Sequence, residues 1–391
     1  MLYEKLREYA ASGVYPMHMP GHKRNAAALP PGLPYELDIT EIYGFDDLHD
    51  PHGFLEETAG LAAKLYGSVR AFLLINGSTV GILAAIGALT TRGDKILIAG
   101  NCHRSVTNAV SLFGLTPVML TPDTDAASGV ACSVDPSSVK SALAKDNGIK
   151  LVVVTSPSYE GVISDIDSIA RAAHSLDIPL LADSAHGAHL GFSSAFPASA
   201  VQAGADVVVM SLHKTLPALT QCSLLHVCGE RANVSEIKRL LSVLQTSSPS
   251  YVLMASIDQC LGLLSSEKGR LFKEYERNLT LFEKRILPLK NLRVLCRGTQ
   301  GAGSAVPSRG NNRNVPLCSA FYDFDPGKLV IVTKNTAISG VLLADILRSD
   351  YNIEIERACA DHAIAMTSIC DTAEGFVRLS DALLAIDSSL G

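Results

Sequence analysis

Two residues of complementary chemistry stand at the ends of two short apolar runs. Pro179-Leu180-Leu181-Ala182 leads into Asp183-Ser184-Ala185-His186, and Val207-Val208-Val209-Met210 leads into Ser211-Leu212-His213-Lys214. Apolar runs closed by polar residues predict parallel strands covered on both faces. Ligands of open α/β sheets bind beyond the carboxyl ends of strands, so Asp183 and Lys214 are expected to face one crevice. A carboxylate and an amine so placed suit pyridoxal 5'-phosphate: the lysine forms a Schiff base, and the aspartate keeps the pyridine nitrogen protonated. The plain alternative is a helix-capping aspartate beside a solvated lysine, and the pair alone does not separate the two.

The elements that must position this pair are legible as an alternation. Strands are expected at Ala71–Ile75, Lys95–Ala99, Pro117–Leu120, Leu151–Thr155 and Leu224–Val227. Helices are expected at 1–11, 54–66, 80–89, 136–144 and 166–174, the fourth opened by Asp135 as cap and Pro136 in its first turn. Such an alternation implies right-handed crossovers and a mostly parallel sheet. A long helix is expected over about 252–287, then a connector over 297–315 that contains Arg297, Arg309 and Arg313. Strands at Leu329–Val332 and Ile353–Glu356, with helices over 339–349 and 372–386, make a small α+β unit. The organisation expected is an N-terminal arm over 1–50, a large cofactor-binding domain over 51–290 and a small domain over 291–391.

Polar clusters follow several strands. Asn76-Gly77-Ser78-Thr79 opens a helix, where free N–H groups and the helix dipole favour a phosphate, although Ser78 or Thr79 serves equally as a cap. Asn101-Cys102-His103-Arg104-Ser105 offers His103 either as a flat group against a cofactor ring or as a structural residue. Ser156-Pro157-Ser158-Tyr159-Glu160-Gly161 follows a central strand. Met17-His18-Met19-Pro20-Gly21-His22-Lys23 and Gln245-Thr246-Ser247-Ser248 are polar loops. No G-x-G-x-x-G or G-x-x-x-x-G-K pattern opens a helix, so a dinucleotide or P-loop reading finds no support.

Composition bounds the remaining classes. The 391 residues are 47% hydrophobic and 18% charged, which is a globular balance, and the net charge of −6 lacks a basic block for nucleic acid. The longest apolar stretch, about Val80–Leu89, is far short of a membrane span. No secretory pattern is visible in Met1–Leu6. The nine cysteines are scattered without metal spacing, and the odd count reads as reduced thiols, so a cytoplasmic protein without a metal site is expected.

With these motifs in hand the chain resembles the bacterial ornithine/lysine/arginine decarboxylases of the aspartate-aminotransferase fold (fold type I). The likeness rests on Pro20-Gly21-His22-Lys23, Asp46-Asp47-Leu48-His49, Asn76-Gly77-Ser78-Thr79, Asn101-Cys102-His103-Arg104-Ser105, Asp183-Ser184-Ala185-His186 and Ser211-Leu212-His213-Lys214, in the family's order and spacing. The resemblance implies Lys214 as Schiff-base lysine, Asp183 on the pyridine nitrogen, His103 stacked on the ring and Ala185 on the other face, beside His186. It implies Ser78, Thr79, Ser211 and His213 around the phosphate, and a homodimer with shared sites in which Thr246 and Ser247 reach the partner's phosphate. Family members often carry Lys where Arg104 stands and an aromatic residue where His186 stands, and the chain looks like a short form without extra terminal domains.

The activity so implied is decarboxylation of lysine, ornithine or arginine. His22, Lys23, Glu160 and Glu356, with Asp46 and Asp47, are the candidates to meet the substrate, since a basic side chain needs a carboxylate. Lys214 and Asp183 would equally serve transamination, elimination or oxidation on the same cofactor. A catalytically idle homologue would have no need of both.

Overall fold

The computed structural model describes residues 1–295 and 321–390; the connector expected over 297–315 lies outside the described residues. Helix α1 (Leu2–Ala11) opens the chain, and α2 (Phe54–Tyr66) follows a long irregular arm. Helix α2 ends where the sequence stops it: Gly67 takes φ +82°, and its N–H donates to the Ala63 carbonyl. Next come β1 (Arg70–Leu74), α3 (Gly77–Leu89), β2 (Lys95–Ala99), α4 (Arg104–Phe113), β3 (Thr116–Leu120), α5 (Pro136–Lys145) and β4 (Ile149–Thr155). The Asp135 carboxylate caps α5 by accepting from the N–H groups of Ser137 and Ser138. After a two-residue β5 (Val162–Ile163) come α6 (Ile166–His174), β6 (Leu180–Asp183), β7 (Val207–Ser211), the single turn α7 (Leu212–Thr215) and β8 (Ser223–Val227).

These strands form a seven-stranded sheet in the order β1-β8-β7-β6-β4-β2-β3. Its five central-to-edge strands β7, β6, β4, β2 and β3 pair in parallel, and β8 turns back antiparallel between β7 and β1. The expectation of a mostly parallel sheet therefore holds. Both faces are buried, with α3 packed against β7 and β8 on one side and α6 against β6. All residues of β6, β7 and β8 are buried, which explains the apolar runs Leu180–Ala182, Val207–Met210 and Leu224–Leu225 within them.

The chain continues through α8 (Val234–Leu244) and the 35-residue α9 (Tyr251–Arg285), which packs on α1, α2 and α11 (Ala373–Ser389). The second sheet has the order β12-β13-β11-β9, all antiparallel, built from β9 (Arg293–Leu295), β11 (Lys328–Val332), β12 (Arg357–Ala358) and β13 (His362–Met366). Helix α10 (Gly340–Tyr351) separates β11 from β12. Here the sequence reading is corrected: Ile353–Glu356 is not a strand, because Asn352 leaves α10 in the left-handed region at φ +52° and pairing starts only at Arg357. Helices α4 and α8 and strand β13 were not expected from the sequence. No helix among the described residues is long and apolar enough to cross a membrane.

A two-stranded link joins the sheets. Strand β10 (Asp323–Phe324) pairs antiparallel with β5, and the Asp325 N–H donates to the Gly161 carbonyl at 2.8 Å. Gly161 sits at φ +100°, and a Cβ there would stand 2.7 Å from Cβ of Lys328. Only glycine meets both conditions. Gly161→Ala is therefore expected to lower folding stability by about 1–3 kcal/mol, the usual scale of backbone strain at such a position. A urea-unfolding midpoint equal to that of the parent would contradict this account of the link.

Candidate active site

The carboxyl ends of the parallel strands carry the chemistry. Each strand end is held by backbone bonds to the next: Ser156 N–H donates to the Asp183 carbonyl (3.0 Å), Ser184 N–H to Val209 (2.9 Å) and Ser211 N–H to Ala185 (3.3 Å). This lacing fixes where Asp183, Ala185, His186, Ser211 and Lys214 emerge.

Asp183 is 2% exposed and pairs in register with Thr155 and Val209. Its carboxylate accepts from the Ala185 N–H at 3.2 Å. Burial pushes its affinity for a proton up, against the pull of that N–H and of the charges on Lys214 and His103. Lys214 stands on the turn α7, where burial lowers its pKa while Asp183 and Glu356 hold it up. Its Nζ lies 3.0 Å from Nε2 of His186.

His103 caps α4: its Nδ1 accepts from the Ser105 N–H at 3.2 Å, which leaves the proton of the neutral ring on Nε2. The ring is exposed, yet close enough for its charge to act on Asp183 and His186. The structural reading of His103 is thus met by a cap through Nδ1.

The hydroxyl cluster lies at the start of α3. Asn76, not Ser78 or Thr79, is the residue before the helix, and Asn76 Oδ1 accepts from the Thr246 N–H at 3.1 Å. Ser78 Oγ is 2.6 Å from Ser211 Oγ and donates to Ser223 Oγ at 3.3 Å; Thr79 is exposed in the same first turn. Hydroxyls converging on a helix N-terminus make an anion cup. His213 turns its Nδ1–H to the Cys222 carbonyl at 2.9 Å, and burial lowers its pKa, favouring the neutral ring. Thr246 is tied to the residue before α3 of its own chain through Asn76, its carbonyl accepts from His49, and Ser247 is exposed.

The candidates for substrate contact separate into groups. His22 bonds Asp38 at 3.2 Å and Lys23 donates to the His18 carbonyl, so both are engaged within the N-terminal arm. Asp46 accepts from the N–H groups of His52, Gly53 and Leu55 and so anchors the start of α2, and Asp47 accepts from His49 N–H. Glu356 accepts from the Tyr159 hydroxyl and its charge acts on Lys214. Glu160 accepts from Ser158 at 3.0 Å and lies 4.0 Å from Arg357.

Three residues were missed in the sequence. Lys328 is 1% exposed, with Nζ 2.7 Å from Nδ1 of His186. Tyr159 sets its ring 4.7 Å from that of His186, tilted by 57°. Asp325, buried beneath them, pairs with His189 at 3.0 Å. The signal for Lys328 was a lone charge at the head of the all-apolar run Leu329–Val332.

The residues fit pyridoxal phosphate on structural grounds. A buried carboxylate with no cation in hydrogen-bond contact among the described residues, an amine near it, and a hydroxyl-lined helix N-terminus would suit the cofactor's pyridine nitrogen, aldehyde and phosphate. The comparisons agree. A family model described as "Orn/Lys/Arg decarboxylase, major domain" matches residues 1–374. An arginine decarboxylase of Bacillus subtilis is 32% identical over 391 residues, covering 98% of this chain and 76% of that protein. An uncharacterized B. subtilis protein, YaaO, is 43% identical over 265 residues, 66% of this chain and 55% of that one. Among solved structures, the lysine decarboxylase of Francisella novicida superposes with a TM-score of 0.80 at 20% identity. That match covers 99% of this chain and 60% of the solved one, and at this identity it speaks to the fold alone. The chain therefore belongs to the Orn/Lys/Arg decarboxylase family, fold-type-I enzymes whose cofactor is pyridoxal 5'-phosphate.

Proposed function

We propose that the protein removes the α-carboxylate of a basic amino acid, arginine foremost, as carbon dioxide. The observation that carries this is the buried Asp183 carboxylate facing the same crevice as Lys214, in a chain that aligns with arginine decarboxylases over nearly its whole length. Bound there, pyridoxal phosphate supplies an electron sink for the pair left behind when the carboxylate departs.

The chain's own residues do the rest. Asp183 presents a negative charge, desolvated and so strengthened, to the pyridine nitrogen. Ser78, Thr79, Ser211 and the first-turn N–H groups of α3 hold the phosphate, with His213 beside them. Lys214 would hold the cofactor through its amine, and it can exchange a proton at Nζ. His103 and Ala185 would hold the ring of the cofactor. Glu356, exposed and hydrogen-bonded by Tyr159, is the carboxylate we assign to the substrate's distal cation; Glu160 is partly neutralised by Arg357. We further propose a homodimer, with the Thr246–Ser247 loop at the shared boundary and a division into arm, large domain and small domain at about residues 50 and 290. The exposed apolar side chains of Tyr15, Met17 and Tyr43 on the arm support a covered surface there.

The direct test supplies carboxyl-labelled arginine, ornithine and lysine and traps carbon dioxide. Labelled gas from arginine at several times the rate of the others is expected, with none from Lys214→Ala. Amine transfer or oxidation without gas would sink the reading. Glu356→Gln removes the charge but keeps the shape. Its KM for arginine should rise roughly tenfold to a hundredfold, the value of a charge-assisted hydrogen bond of about 1.5–3 kcal/mol, with kcat less affected. An unchanged KM would clear Glu356 of that role.

A further inference from the structure

His186 is bonded on both ring nitrogens to lysines. Its Nε2 lies 3.0 Å from Lys214 Nζ and its Nδ1 lies 2.7 Å from Lys328 Nζ. Both the imidazole (6% exposed) and Lys328 (1% exposed) are shut away from water. The position of Lys328 is built: β11 starts with it, the β5–β10 link brings β11 to the crevice, and glycine at 161 leaves room for its stem. Tyr159 closes the group from above, its ring 4.7 Å from His186 and 5.6 Å from Lys328 Nζ.

Hydrogen-bond capacity restricts what this triad can hold. A neutral imidazole has one donor nitrogen and one acceptor nitrogen. An ammonium only donates, so it needs the acceptor side; the amine on the other side must then receive the ring N–H. With both bonds kept, the lysine that faces the ring N–H is a free amine, and the one that donates to the ring's acceptor nitrogen is free to be the ammonium. A protonated ring would set three cations side by side without an acceptor. Burial and the two lysines do hold His186 neutral, far below its ordinary range. Charges act on the triad from every side. Asp325, Glu356 and Glu160 favour a proton on Lys328, Asp183 and Glu356 favour one on Lys214, and His103 and His189 oppose one on the ring. Burial, helped by the charge of Lys214 and opposed by those carboxylates, brings Lys328 down to about 8, within reach of exchange.

We propose that Lys328 is a positioning residue for Lys214, acting through His186 as a proton relay: it holds the proton whenever Lys214 is the free amine. The step is balanced. The Lys214 ammonium gives a proton to Nε2 of His186, and Nδ1–H of the same ring gives its proton to the Lys328 amine. Lys214 ends neutral, Lys328 ends as ammonium, the ring changes tautomer, and no electrons are transferred. The reverse passage returns a proton to Lys214. The functional meaning rests on Lys214 as cofactor anchor, but the proton sharing does not.

The test follows Lys214 itself in the full-length chain, freed of cofactor and shown folded by its thermal transition. A short pulse of acetic anhydride at a series of pH values labels free amines, and mass spectrometry reads the Lys214 peptide. In Lys328→Met the loss of the competing proton holder should raise the pH at which Lys214 becomes reactive. Labelling at neutral pH then falls about tenfold, one unit of pKa being a tenfold change in free amine. In the His186→Phe background the same substitution should move the profile little. Superposed profiles for the parent and a folded Lys328→Met overturn the proposal. Equal shifts in both backgrounds overturn the relay too, since the charge would act through space. Should the methionine variant unfold, Lys328→Gln is expected to give the same shift, and a parental profile there is equally fatal. The cofactor anchor is read separately, by borohydride reduction of the cofactor-loaded enzyme and mapping of the pyridoxyl group, so the two assignments fail independently.

Discussion

The Asp183 carboxylate is the constraint on which the rest of the site depends. A charge buried to 2% exposure is costly unless paired, and within the described residues it has one N–H donor and only distant help from Lys214 and His103. Removing either the burial or the charge would destroy the site's purpose. Exposed, the aspartate would be screened by water; neutral, it could not hold a proton on a ring nitrogen. The parallel sheet supplies the burial by covering β6 on both faces and along both edges.

A second layer of organisation lies in the small antiparallel sheet. Strand β11 carries Lys328, and the chain leading to β12 carries Glu356, so both groups that act on Lys214 from the far side come from the C-terminal quarter of the chain. The β5–β10 pairing ties that quarter to the loop after β4. Asp325 and His189, both buried, tie the junction through a hydrogen bond at 3.0 Å.

Much of this was legible in the sequence because local signals agreed with the fold. Strand ends marked by Asp183 and Ser211, the stop at Gly67 and the cap at Asp135 are decided by residues adjacent in the chain. What could not be read depends on contacts distant in sequence. Ile353–Glu356 alternates like a strand, but the left-handed exit at Asn352 delays pairing to Arg357. Asp46 looked like a free carboxylate until the N–H groups of His52, Gly53 and Leu55 claimed it. Ser78 and Thr79 were open to either capping or phosphate binding, and the start of the helix at Gly77 removes the capping role from both. Lys328 was invisible because nothing near it in the chain reveals that His186, 142 residues earlier, is its partner.

The central claim is that the buried carboxylate of Asp183 keeps the pyridine nitrogen of the bound cofactor protonated. It is tested most directly by nitrogen magnetic resonance of the enzyme loaded with pyridoxal phosphate labelled with ¹⁵N in the ring. The account predicts a protonated nitrogen in the parent at mildly alkaline pH, and an unprotonated one in Asp183→Asn at the same pH. A neutral pyridine nitrogen in the parent enzyme would contradict it.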